Sequence, residues 1–262
     1  GIIPVVCLDR IFRQSEQSLI VTNAHHIVKG EMPELNRRDS DFFFLECQNM
    51  SEVQNTILGL CSKRLPKSYG VSPINDIQVL TPGKKGILGT FELNKALQDI
   101  LNPKDDEKDE ITFNNTLYRV GDKVMQVKNN YDILWTKYSG ECGEGVFNGD
   151  IGIIESINKP QRMMRIKFDD RYANYDADSA LNLELSYACT VHKSQGNEFE
   201  FVVMPMMKNS QFLFYRNLLY TAVTRAKRML ILVGNRQTVE YMVKNNIRTL
   251  RYSGLAEFLK RD

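Results

Sequence analysis

The stretch Ser186-Tyr-Ala-Cys-Thr-Val-His-Lys-Ser-Gln-Gly-Asn-Glu-Phe-Glu-Phe-Val-Val-Met-Pro205 decides how the chain is read. It lies inside a longer segment, Leu183 to Asn235, whose grammar is strand, polar loop, strand. Leu183 to Thr190 alternates and is rich in β-formers, and Phe199 to Met204 is a short apolar run of the kind a buried parallel strand shows. Between them, Thr190 through Glu198 packs hydroxyls, an imidazole, an ammonium, an amide and Gly196 close together. Loops at strand ends are where α/β sheets hold ligands. Downstream, Tyr220-Thr-Ala-Val-Thr-Arg-Ala-Lys227 reads as part of an amphipathic helix beginning near Phe212, followed by an apolar strand from Met229 to Val233. Arg225 is thereby predicted at a helix end beside a strand, where a guanidinium can reach a polyphosphate.

The first hundred residues alternate strand and helix, the pattern of a parallel α/β sheet. Ile2 to Leu8 reads as a strand, and Ser15 as the cap of a helix carrying Leu19, Ile20, Ala24, Ile27 and Val28 before Gly30. Arg13 falls between that strand and the helix N-terminus, a phosphate-facing position, although spacing alone favours a surface arginine. His25 and His26 lack Cys, Asp or Glu partners at ligand spacing and read as helix-end side chains, so no metal site is expected. Phe42 to Leu45 reads as a strand, Ser51-Glu-Val-Gln54 as a capping box opening a helix, and Asp76 to Leu80 as a strand. Thr81-Pro-Gly-Lys-Lys-Gly-Ile-Leu-Gly-Thr90 then leads into a helix with Leu93, Ala96, Leu97 and Leu101. This loop lacks the Lys followed by Ser or Thr that closes a phosphate loop. As a bare pattern it is a solvated turn, though Lys84, Lys85 and main-chain N–H groups can hold a nucleic-acid backbone.

Pro103 to Glu110 is a charge run, and beyond it helical periodicity stops. Turn signals separate short strands at Thr116 to Arg119, Lys123 to Val127, Ile151 to Ile157 and Met163 to Phe168. The pattern predicts a small SH3-like β-barrel inserted into the α/β domain, giving a first part at 1–112, the barrel at 113–181 and the remainder at 182–262. Tyr131, Trp135, Tyr138 and Phe147 are available for base stacking or for the barrel core.

Composition narrows the class without naming a partner. The 262 residues are 42% hydrophobic and 25% charged with a net charge of +2, ordinary for a folded domain and neutral on nucleic acid, since a basic groove can sit on a nearly neutral protein. Five scattered cysteines form no metal or disulfide pattern, which favours a reducing cytoplasm. Neither a long apolar span nor a leader is visible, and the absence of an initiating Met suggests an excised piece.

The residues now support a resemblance. Thr190-Val-His-Lys-Ser-Gln-Gly-Asn-Glu-Phe199 resembles motif V, and Leu219-Tyr-Thr-Ala-Val-Thr-Arg-Ala-Lys227 motif VI, of superfamily 1 helicases of the RecD type, in the right order and at a spacing such helicases use. Ile11-Phe-Arg-Gln14 with the following Ser-x-Ile and Ala-His resembles motif IV, and Val79-Leu-Thr-Pro82 with the following Leu-Gly-Thr resembles motif IVa. Gly121-Asp-Lys-Val-Met-Gln126 and Val146-Phe-Asn-Gly-Asp150 resemble the stretches around that family's barrel insert. The resemblance implies the second RecA-like motor domain of an ATP-dependent, 5′ to 3′ DNA helicase, either stand-alone or the RecD subunit of an exodeoxyribonuclease V complex with RecB- and RecC-like partners. It implies Arg225 as an arginine finger, Arg13 as its assistant, and Gly196, Glu198 and Gln14 beside the nucleotide. Thr81, Lys84, Thr190, His192, Lys193, Ser194 and Gln195 would face single-stranded DNA. ATP with Mg²⁺ would be bound mainly by a first RecA-like domain, because Walker A and B patterns are absent from these 262 residues. Two other readings stay open: a non-catalytic nucleic-acid-binding or docking module, and the helicase part of a conjugative relaxase.

Overall fold

The computed structural model describes residues 18–208 and 213–247. The strand expected at Ile2 to Leu8, the Ser15 cap, Arg13, Gln14, Phe212 and the helix expected at Leu255 to Lys260 lie outside the described residues. The first described helix, α1 (Leu19–Lys29), is capped by Ser18 and ends at a left-handed Gly30. Asp41 reinforces the cap: one carboxylate oxygen accepts from Leu19 N and Ile20 N at 2.9 and 3.2 Å, and the other from the Ser18 hydroxyl. A carboxylate there meets both the free N–H groups and the positive end of the helix.

Next come β1 (Phe42–Glu46) and α2 (Met50–Gly59). The cap of α2 is Asn49, two residues before the expected box; Asn49 accepts from Glu52 N, and the Glu52 carboxylate reaches back to Gln48 N at 2.7 Å. The helix continues through a π-helical turn, Leu60–Arg64, into α3 (Leu65–Tyr69). Then follow β2 (Ile77–Thr81) and α4 (Thr90–Leu101).

A run of antiparallel strands follows. β3 (Glu110–Phe113) and β4 (Thr116–Arg119) form a hairpin. β5 (Lys123–Gln126), β6 (Asn130–Lys137), β7 (Cys142–Val146), β8 (Ile151–Asn158), β9 (Met163–Phe168), β10 (Arg171–Tyr175) and β11 (Leu183–Leu185) make a seven-stranded sheet in the order β11-β5-β8-β9-β10-β6-β7. Its core includes Val124, Ile154, Met164, Ile166, Phe168 and Tyr175. The chain closes with β12 (Ala188–Thr190), β13 (Phe199–Met206), α5 (Arg216–Val223), β14 (Ala226–Gly234) and α6 (Arg236–Lys244).

The second sheet is parallel throughout, in the order β1-β14-β13-β2-β12. Alternate residues of its strands point to opposite faces, so each face needs its own helical cover. On one side α1, α5 and α6 contribute Ile20, Ala24, Ile27, Leu219, Val223, Val239 and Met242. On the other, α2, α3 and α4 contribute Val53, Ile57, Leu65, Leu93 and Leu97. The fold is therefore mixed α/β, built on a parallel sheet. Among the described residues no helix is long and apolar enough to cross a membrane.

Two sheets meet through polar side chains. Asn94 and Gln98, four apart on α4, share one face, and Asn102 caps the helix just beyond them. Asn94 brackets β11 and β12, donating to Leu185 O and Ala188 O at 2.8 and 2.9 Å and accepting from Ala188 N at 2.7 Å. Gln98 and Asn102 both donate to the Asp122 carboxylate, at 2.6 and 2.7 Å, which also receives Arg119 N at 2.7 Å and the Tyr187 hydroxyl at 2.8 Å. Burial raises the pKa of Asp122, and those four hydrogen bonds act against the rise. Lys123, its buried neighbour, reaches across to Ile77 O at 3.3 Å.

Leu183 to Thr190 is not one strand. Leu183–Leu185 pairs antiparallel with β5, and Ala188–Thr190 pairs parallel with β2. The change of sheet occurs at Ser186 and Tyr187, where Ser186 N bonds Lys123 O and the Gln78 amide holds both carbonyls. The helix of the motif VI segment is also shorter than expected, ending at Val223 with Thr224 as its cap, so Arg225 is a linker residue and Lys227 lies on β14.

Candidate functional site

The loop from Val191 to Glu198 joins β12 to β13, and strand register shows where it runs. Thr190 stands beside Thr81 at the carboxyl end of β2, whereas Phe201 stands beside Ile77 at its amino end. The loop therefore crosses from one edge of the parallel sheet to the other. Its first half is wound tightly: Thr190 O accepts from Lys193 N and Ser194 N at 2.9 and 3.1 Å, and Asn197 N donates to Ser194 O at 3.0 Å. Gly196 takes a left-handed φ of +93°, with open space where a side chain would go, so glycine is needed there for conformation rather than packing.

At the amino edge lies Arg225, partly buried between α5 and β14. Its Nη1 donates to Asn197 O at 3.0 Å and its Nε to Thr221 O at 3.3 Å, while Arg225 O accepts from Phe199 N at 2.9 Å. Glu198 faces Lys227 at 3.8 Å. Gly196, Glu198 and Arg225 are thus brought together by the β13–β14 pairing.

At the carboxyl edge the expected side chains divide. His192 and Gln195 are exposed, and His192 Nε2 lies 2.9 Å from the Tyr215 hydroxyl. Thr190 is nearly buried, its hydroxyl accepting from Lys193 N at 3.3 Å. Two of the expected hydroxyls are turned inward. The Ser194 hydroxyl has no exposure and donates to Val191 O at 2.8 Å, and the Thr81 hydroxyl, equally buried, donates to Gly83 O at 2.7 Å. Both stabilise their turns and offer no side-chain donor to a strand. Lys193 also departs from the expected role: its ammonium sits on Val127 O at 2.6 Å and Asn148 Oδ1 at 2.9 Å, on the antiparallel sheet, and burial lowers its pKa. Lys84, in the loop after β2, is paired with Glu184 at 2.6 Å.

Residues 93–168 match the family model described as the ATP-dependent RecD-like DNA helicase SH3 domain, and residues 185–233 match the UvrD-like helicase C-terminal domain. The ATP-dependent RecD2 DNA helicase of Deinococcus radiodurans is 29% identical over 224 residues, 86% of this chain and 28% of that protein. The chain is similar to RecD-type helicases over most of its length. The RecBCD enzyme subunit RecD of Buchnera aphidicola is 25% identical over 170 residues, 64% of this chain and 26% of that protein. A solved Pif1 helicase from Bacteroides, in complex with ADP-AlF3 and ssDNA, aligns with a TM-score of 0.48 and 16% identity over 96% of this chain and 55% of that one. The chain thus spans little more than a quarter of these curated relatives' length.

The same site contains partners of the expected residues that were given no role from sequence. Asn197 donates through Nδ2 to Gly149 O at 2.9 Å, while its own carbonyl receives Arg225. Asn148, Tyr215 and Glu184 partner Lys193, His192 and Lys84. All four lie in stretches singled out from sequence, but none was assigned a role there. Among the described residues no group of three or more His, Cys, Asp or Glu is placed to hold a metal ion.

Exposed aromatic residues border the loop. Tyr131 and Phe147 pack edge to face with centroids 5.7 Å apart; Asn129 bonds the Tyr131 hydroxyl and Asn148 N, and Asn148 in turn accepts from Lys193 of the loop. Tyr138, 80% exposed, lies beside Tyr172, and Trp135 instead packs against the core of its sheet.

Proposed function

We propose that this chain is the C-terminal motor part of an ATP-dependent 5′ to 3′ DNA helicase, divided as 1–112 and 182–262 around a barrel at 113–181. The observation that carries the reading is the loop crossing the sheet from Thr190 to Glu198: one polar segment is available to a strand at its first half and to a nucleotide at its second. Arg225 would supply positive charge to the γ-phosphoryl group during transfer, with Arg13 assisting, and Gly196 would let backbone approach the nucleotide beside Glu198 and Gln14. His192, Gln195 and the main chain around Thr81, Lys84 and Thr190 would hold single-stranded DNA by its backbone, without reading sequence. Tyr131 and Phe147 extend that surface with faces on which bases can stack. A first RecA-like domain would bind most of the ATP and its Mg²⁺. Some relatives are named as RecBCD subunits, so a complex with RecB- and RecC-like chains is one setting for this part.

The test is DNA-stimulated ATP hydrolysis by the full-length protein, wild type against Arg225→Ala, with single-stranded DNA binding measured alongside. Hydrolysis is expected to fall by about a thousandfold or more while DNA binding survives. The 262-residue chain alone, without Walker A and B, is expected to match a no-protein blank. Unchanged hydrolysis in Arg225→Ala would move the non-catalytic binding module to the front.

A further inference from the structure

Asn197 stands between the candidate arginine finger and the antiparallel barrel. Its carbonyl accepts from Arg225 Nη1 at 3.0 Å, and its amide donates to Gly149 O at 2.9 Å on the β7–β8 turn. Both ends of this contact are stiff. On the barrel side, Phe147 N bonds Asp150 Oδ2, Asp150 N bonds Phe147 O, Gly149 N bonds Gln126 O and Gln126 N bonds Asp150 O, all at 2.8 to 3.0 Å. On the loop side, Asn197 N is held by Ser194 O, and Ser194 is fully buried. Lys193 adds a second point of attachment four residues earlier, on Asn148 and Val127.

We propose that Asn197 is a positioning residue for Arg225. The barrel turn fixes the Asn197 side chain, which fixes its peptide, and the peptide carbonyl fixes the Nη1 end of the guanidinium; Thr221 O fixes the Nε end from the helix side. The barrel is then part of the hydrolytic machinery, because its seating on the loop sets where the guanidinium points. This inference rests on the reading of Arg225 as the finger.

The experiment compares full-length wild type, Asn197→Ala, Asn197→Asp, Arg225→Ala and the double variant Asn197→Ala/Arg225→Ala in DNA-stimulated ATP hydrolysis. Asn197→Asp keeps the size but sets an acceptor against Gly149 O, so it decides the matter should the alanine variant fail to fold. Both Asn197 variants are expected to lose about ten- to a hundredfold in kcat, the scale of a misplaced catalytic group, with KM for ATP and DNA affinity within about twofold of wild type. The double variant is expected to be no slower than Arg225→Ala. The proposal is overturned if Arg225→Ala is costly while Asn197→Asp keeps wild-type kcat, if the losses multiply in the double variant, or if KM alone rises. Arg225→Ala without effect would instead remove the underlying reading of Arg225.

Discussion

Lys123 is a buried ammonium with one neutral acceptor, Ile77 O, and the ring of Phe199 5.8 Å away. Cys61, Cys189 and Asp76 are the titratable groups that face it, and burial outweighs them, so its pKa falls to about 8. The same burial pushes the Cys61 and Cys189 thiols up to about 12, so both stay neutral while the lysine titrates. Between pH 8 and 10.5 the unfolded chain holds a proton that the folded chain has released, so stability from this group rises with pH across that window. Lys123→Met should therefore be most stabilising at pH 7, with its advantage over wild type shrinking by up to about 1.4 kcal/mol per pH unit above pH 8. Urea unfolding of both proteins at several pH values measures this; a difference independent of pH would refute it. None of this is visible in Gly-Asp-Lys-Val-Met, which reads as a turn followed by a strand. The sequence places Asp122 in a turn and Lys123 at the start of a strand, and it is Gln98, Asn102, Arg119 N and the hydroxyl of Tyr187 that make a buried carboxylate tolerable there. Arg225 was expected at a helix end beside a strand, and the structure places it in the linker between α5 and β14.

The elements most legible in sequence are those whose burial follows a period. β4, β5, β8 and β9 alternate or run apolar between clear turn signals, and each forms within a residue or two of where it is expected. β7, Cys-Gly-Glu-Gly-Val, has two glycines, and one of them, Gly143, lies beneath Trp135 where a Cβ would come within 2.4 Å of the ring. Glycine that serves a neighbour's packing carries no strand signal. In α4 the apolar positions were readable, but Asn94 and Gln98 on the same inner face were not, because amides look like solvent-facing residues until their partners are known. The loop entering α4 contains a sharper constraint. A Cβ on Gly89 would stand 2.4 Å from Lys84 O and 2.5 Å from Lys85 O, both rigid main chain. Gly89→Ala should force residues 82–89 open and cost about 1–3 kcal/mol, as overpacking does. A denaturant midpoint within error of wild type would show that the loop yields freely.

At the scale of the molecule, the two sheets are joined by the polar contacts around Asp122 together with apolar contacts through Met125, Ile151 and Leu185. The chain's single tryptophan, Trp135, lies in the antiparallel sheet, whereas the six α-helices among the described residues cover the parallel one. Tryptophan fluorescence and far-ultraviolet circular dichroism therefore report on different parts. In wild type the two thermal transitions should coincide, and in Asp122→Ala, which strands four donors, they should separate. Coincident transitions in the variant would mean that the joint lies elsewhere. The order of strands also has a consequence for synthesis. Among the described residues, β1 pairs with β14, and β2 lies between β12 and β13, so neither early strand has a partner until the ribosome has passed residue 187. The antiparallel insert is finished first and can fold while its host waits with two apolar strands exposed. A chain built this way is at greatest risk of aggregation midway through translation, before the loop that unites its two edges has been made.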